Sequence, residues 1–152
     1  MKTTLLTISF FLVALFTNTL NAQMAQPVKW TISAEKVGEN LYELKAVADI
    51  QQGWFVYSRE VTSVGPVPTK VELEKSPIFE LNGNTEEFGE KKEEFDNNYD
   101  TNVIKLLGKV TFIQRVKVKG AADALRGKVS YQTCNGHVCI PPTDVPFSLS
   151  LK

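Results

Sequence analysis

Cysteine and histidine are scarce in this chain: two cysteines and a single histidine stand among 152 residues. A closed zinc site normally uses four ligands in two separated pairs, and no second pair exists here. The two methionines form no thioether cluster of the kind copper(I) favours. An excess of one charge is missing as well. Lys and Arg number 17, as do Asp and Glu, and no basic stripe is present, which argues against a nucleic-acid partner. After residue 16 there is no apolar run near the roughly 20 residues a membrane-spanning helix needs. An internal repeat and a long amphipathic helix are absent too, so neither a solenoid nor a helical bundle fits the pattern.

The apolar residues that are present come first in a block. Met1-Lys2 gives a short positive start, Leu5 to Phe16 is mostly apolar, and Thr17 to Ala22 turns polar and small. That order predicts a secretory signal peptide over residues 1–22, cut after Ala22; an uncleaved anchor is the alternative. No cysteine lies near the cut to carry a lipid. The expected product is a soluble, exported domain of residues 23–152 with a net charge near −1 after Lys2 is lost. That length suffices for one hydrophobic core without cross-links. An oxidising compartment permits a disulfide, while thiols kept reduced there need a supply of electrons.

Period-2 alternation dominates the rest. It predicts strands over 28–32, over 41–50 with Tyr42, Leu44, Ala46, Ala48 and Ile50 on one face, over 54–57 and over 70–73. Further strands are expected over 103–107, over 109–118 with Val110, Phe112, Val116 and Val118 in phase, over 128–133 and over 145–151. The charged stretch from Leu81 to Asp100 has no apolar stripe and is expected to be an exposed, partly ordered loop. One helical turn is expected over 121–126. About eight short strands with frequent turns predict an all-β, antiparallel β-sandwich of immunoglobulin-like architecture.

Both cysteines and the histidine fall in one segment, Tyr131-Gln132-Thr133-Cys134-Asn135-Gly136-His137-Val138-Cys139-Ile140-Pro141-Pro142. Three readings are open. A structural staple would close a loop of about six residues for roughly 2 kcal/mol and would tidy only one hairpin. A copper or zinc carrier would use Cys134, His137 and Cys139, one ligand short of a closed zinc site. A working dithiol needs two cysteines able to cross-link and a sulfur that a partner can reach. A hairpin tip bent at Asn135-Gly136 would meet both needs, since Gly136 allows positive φ, and the Pro-Pro pair would stiffen its exit.

The segment resembles a known active site. Tyr131-Gln132-Thr133-Cys134, then Cys139-Ile140-Pro141-Pro142, is similar to the Tyr-Gln-x-Cys and Cys-x-Pro-Pro blocks of the N-terminal periplasmic domain of the thiol:disulfide interchange protein DsbD. Upstream, Gly53-Trp54-Phe55-Val56-Tyr57 resembles that family's aromatic strand, and Glu86-Glu87-Phe88 its acidic cap loop. The resemblance implies an immunoglobulin-like sandwich with the cysteines on a hairpin at one end. It implies Cys134 and Cys139 as the redox pair, with Cys139 forming mixed disulfides, Phe88 as a cap, Glu86 and Glu87 nearby, and Phe55 and Tyr57 lining the site.

Two departures stand out: the intercysteine loop is one residue shorter than in the best-known member, and it carries His137, a candidate for tuning thiol pKa. The full-length family protein continues into a transmembrane carrier and a thioredoxin-like domain, so separate polypeptides are expected to supply the electrons here. The expected function is periplasmic thiol–disulfide exchange by a monomer that uses no cofactor beyond its redox-active disulfide. Electrons would come from a thioredoxin-like domain or a transmembrane thiol reductase and pass to oxidised periplasmic proteins. The alternative is a non-enzymatic β-sandwich adaptor with a local structural disulfide.

Overall fold

The computed structural model describes residues 26–60 and 64–151; the expected signal peptide and its cleavage site lie outside them. Eight strands follow one another among the described residues: β1 (Val28–Lys36), β2 (Leu41–Ile50), β3 (Phe55–Tyr57), β4 (Lys70–Leu73), β5 (Phe79–Asp96), β6 (Thr101–Val118), β7 (Ala124–Cys134) and β8 (Cys139–Ser150). All pairings are antiparallel.

The sheet runs β1–β2–β6–β3–β7–β4, with β5 added to β6 and β8 to β7. Short β3 is the hinge of this layout. It pairs with the first part of β6 on one side, Val56 opposite Leu106, and with the end of β7 on the other, Phe55 opposite Cys134. The sheet curls around that hinge. The apolar faces of β2 and β6 supply Leu44, Ala46, Ala48, Val110, Phe112 and Val116, and those of β7 and β8 supply Leu125, Val129 and Phe147 to the same core. Each valine, leucine or phenylalanine of this set, when fully buried, stabilises the fold by about 1.5–3 kcal/mol, and the two alanines by less. The all-β, antiparallel class read from the strand pattern is the one observed.

Several boundaries differ from the expectation. The charged stretch from Leu81 to Asp100 is for the most part strand: β5 pairs along β6 from Phe79 opposite Val118 to Asp96 opposite Thr101. Backbone hydrogen bonds hold it, and most of its side chains are exposed, so hydrophobic periodicity has nothing to report there. The strands expected over 103–107 and 109–118 are one strand, β6, continuous through Gly108. No helical turn forms over 121–126, because β7 begins at Ala124. Pro141 and Pro142 lie inside β8, which pairs only with β7; such an edge strand tolerates missing N–H donors.

A tight turn joins β5 to β6 at the end of the sheet where the cysteines lie. The Asp96 carboxylate accepts from the Asn98 N–H and from Asn98 Nδ2, each at 2.9 Å. The Tyr99 N–H donates to the Asp96 carbonyl, and Asp100 takes the left-handed conformation (φ 51°), which Asp tolerates better than most residues.

Candidate functional site

Cys134 ends β7 and Cys139 begins β8, directly opposite in register, and they form a disulfide with Cα atoms 4.1 Å apart. The four residues between them make a compact tip. Asn135 Oδ1 accepts from the N–H groups of His137 and Val138, the Asn135 N–H donates to the Val138 carbonyl, and Gly136 sits at φ 88°. An Asn followed by Gly suits these needs, one by bonding its own turn and the other by lacking a Cβ.

The two sulfurs live in different surroundings. Cys139 is exposed. Cys134 is only 1% exposed and belongs to a small second cluster with Phe55, Tyr57 and Val103, against which Tyr99 and Leu107 pack. The rings of Phe55 and Tyr57 meet edge to face at 5.4 Å, and those of Tyr57 and Tyr99 at 5.9 Å. Phe55 is held by its pairing with Cys134 and by the Thr133 hydroxyl, which donates to the Phe55 carbonyl at 2.8 Å. Gln132 and the Tyr99 hydroxyl are hydrogen-bonded to each other, and the Val67 N–H donates to Gln132 Oε1.

A buried polar chain lies behind the disulfide. The Tyr57 hydroxyl is 3.1 Å from Asp96 Oδ2 and 3.5 Å from Cys134 Sγ. It has one proton to give, and a carboxylate outcompetes a disulfide sulfur for it. Lys105 Nζ lies 3.4 Å from Asp96 Oδ2, 2.7 Å from Glu94 Oε1 and 4.4 Å from the centre of the Phe55 ring. Burial pushes the Tyr57 phenol well above its ordinary pKa, and the neighbouring Asp96 carboxylate adds to the effect. Burial alone would raise the Asp96 pKa, but the Asn98 N–H, the Tyr57 hydroxyl and the Lys105 ammonium together hold it below the usual carboxylate range. The Lys105 ammonium, then that of Lys92, lowers Glu94.

Of the residues read from sequence, Cys134, Cys139, Phe55 and Tyr57 come together. Glu87 turns inward elsewhere, accepting from the Ser58 hydroxyl and the Arg59 N–H and pairing with Lys91, outside the cluster around Cys134. Glu86 instead forms an ion pair with Arg115. Phe88, 51% exposed, lies opposite Thr111 of β6, outside the cluster around Cys134. The imidazole of His137, on the exposed tip, has no hydrogen-bond or ion-pair partner among the described residues. In this bonded state neither sulfur is a thiolate, the form that binds metal. Sequence reasoning missed Asp96, Tyr99 and Lys105. One signal was legible: Val103, Lys105 and Leu107 alternate, which places a lysine on an otherwise apolar face.

The fold and the bonded cysteine hairpin define a class: a disulfide-bearing β-sandwich domain with one cysteine exposed and the other buried. The chain belongs to the family described as "Thiol:disulfide interchange protein DsbD, N-terminal", which matches residues 21–151. Among solved structures, it is similar to the DsbD N-terminal domain of Neisseria meningitidis in its reduced form (14% identity, 82% of this chain and 85% of that one, TM-score 0.58). It is also similar to the N-terminal periplasmic domain of ScsB from Proteus mirabilis (20% identity, 82% of this chain and 45% of that one, TM-score 0.57). No curated protein matches it. These likenesses bear out the immunoglobulin-like architecture, and the family with its bonded cysteine pair supports a thiol–disulfide exchange domain in general.

Proposed function

We propose that this domain carries electrons across the periplasm through the Cys134/Cys139 pair, taking them from a thioredoxin-like domain or a transmembrane thiol reductase and passing them to oxidised proteins. The observation that carries the reading is the asymmetry of the disulfide, with Cys139 exposed and Cys134 buried against Tyr57. A donor thiolate attacks Cys139 Sγ, the Cys134–Cys139 bond breaks, and the electron pair leaves on Cys134. The donor's second thiolate then attacks the donor sulfur of the mixed disulfide and releases Cys139 as a thiolate. Uptake of two protons completes the reduction. In the forward direction Cys139 attacks a substrate disulfide and Cys134 resolves the product. The disulfide is the whole redox centre, and the domain works as a monomer.

The resemblance gives the cap over the sulfurs to Phe88. The packing favours Tyr99, whose ring meets Tyr57 beside Cys134. Glu86 and Glu87 then serve β5, through Arg115 and through Ser58 and Arg59, and His137 is a surface residue of the tip. Equilibration with defined thiol–disulfide buffers tests the reading: reversible reduction of the folded domain, at a potential thioredoxin-like partners reach, is expected. A disulfide that resists reduction until the domain unfolds would make it a staple and the domain an adaptor.

A further inference from the structure

Asp96 and Lys105 are the only charged residues buried as whole residues among the described ones; Asp96 is hydrogen-bonded to the Tyr57 hydroxyl, which lies 3.5 Å from Cys134 Sγ, and Lys105 is ion-paired to Asp96. An apolar cluster does not need them. Separating two charges from water is costly and is repaid only by close pairing, so their place beside Cys134 calls for an account.

We propose that Lys105 is a positioning residue for the exchange: ion-paired to Asp96 behind the buried sulfur, it balances the negative charge that arrives there when the disulfide opens. The inference rests on the exchange reading given above. When a partner thiolate attacks Cys139, the new S–S bond forms as the old one breaks, and the electron pair ends on Cys134 Sγ. That sulfur has almost no access to water. The donor within reach is the Tyr57 hydroxyl at 3.5 Å. A thiolate is a far better acceptor than a disulfide sulfur, so the Tyr57 proton turns from Asp96 to Cys134. Asp96 keeps its bonds from Asn98 and its contact with Lys105.

Two anions then flank a single phenol. Without a cation such a pair repels, and one member takes a proton instead. The groups facing the sulfur and the ammonium are Tyr57 from β3, Glu94 and Asp96 from β5, Tyr99 from the turn and Cys134 from β7; Lys92 shares Glu94 from the outer side. Lys105 is the cation among them that contacts Asp96. Its geometry over the Phe55 ring fixes where that charge sits.

The test is a thiolate titration of Cys134 in the reduced domain with Cys139 replaced by Ala, with the folded state checked at every pH. Lys105→Met should raise the Cys134 midpoint by about one unit, an approximately tenfold loss of thiolate below it, and Lys105→Arg should restore it. If Lys105→Met fails to fold, Asp96→Asn and Asp96→Asn/Lys105→Met isolate the same charge, and the double variant should titrate above the single one. Equal midpoints in either comparison would overturn the role of Lys105. In parallel, the chain with both cysteines is equilibrated with dithiothreitol. If that protein does not undergo reversible exchange, the exchange reading itself falls, whatever the Lys105 variants do.

Discussion

Replacing Tyr57 by Phe removes one oxygen from the centre of the buried chain and leaves the ring packing against Phe55 and Tyr99 in place. At pH 7 the loss is one hydrogen bond to a buried carboxylate, in a class worth about 1.5–3 kcal/mol. Asp96 keeps Asn98 N–H, Asn98 Nδ2 and Lys105, so the low end applies, about 1.5 kcal/mol. The pH dependence is more telling. The Tyr57 pKa is raised on folding, chiefly by burial. Its contribution is therefore complete below the unfolded tyrosine pKa of about 10 and drains away as pH rises above it. At pH 11 the unfolded state gains about 1.4 kcal/mol from ionising this tyrosine while the folded state does not. Tyr57→Phe has no such loss, so its deficit at pH 7 should nearly vanish at pH 11. Urea unfolding of the oxidised domain at both pH values, with unchanged m-values, measures the gap. A deficit that is the same at both would refute a neutral, buried Tyr57 bonded to Asp96.

Other expectations follow from the same geometry. The Asp96 pKa is lowered on folding, so its contribution is present above about pH 4 and is lost as pH falls through the folded value; Asp96→Asn should be less stable at pH 7 and show a flatter acid limb in urea titrations. Gly127 lies between β4 and β8, and a Cβ there would collide with the Glu72 carbonyl and the Phe147 ring. Gly127→Ala should cost about 3 kcal/mol, seen as a lower denaturation midpoint. If Tyr99 covers Cys134, Tyr99→Ala should speed reduction by small thiols several-fold and Phe88→Ala should leave the rate unchanged; acceleration by Phe88→Ala alone would return the cap to Phe88.

What sequence disclosed tracks what a half-buried strand displays. Leu44, Ala46, Ala48 and Ile50, and Val110, Phe112, Val116 and Val118, alternate because one face of β2 and β6 meets the core, and the period exposes them. β5 defeats that logic. Its inward positions include Thr85, Glu87, Glu94 and Asp96, while Phe88 and Phe95 are exposed, so an edge strand held by its backbone reads as a charged loop. The same inversion hid part of the site. The cysteines, Phe55 and Tyr57 were legible from their motif, but Asp96, Tyr99 and Lys105 meet through the β5–β6 turn and the curl at β3. Charge alone says nothing of burial, and the pairing of Lys105 with Asp96 arises only once β5 and β6 lie side by side.

The central claim is that one sulfur meets partners and the other waits behind it. Thiol trapping of the paired single-cysteine variants tests it most directly, with each reduced protein offered to a disulfide-labelled thioredoxin-like partner. Cys134→Ser, which keeps exposed Cys139, should form a stable mixed disulfide readily, and Cys139→Ser should form little. Equal capture by both, or capture through Cys134 alone, would contradict the account.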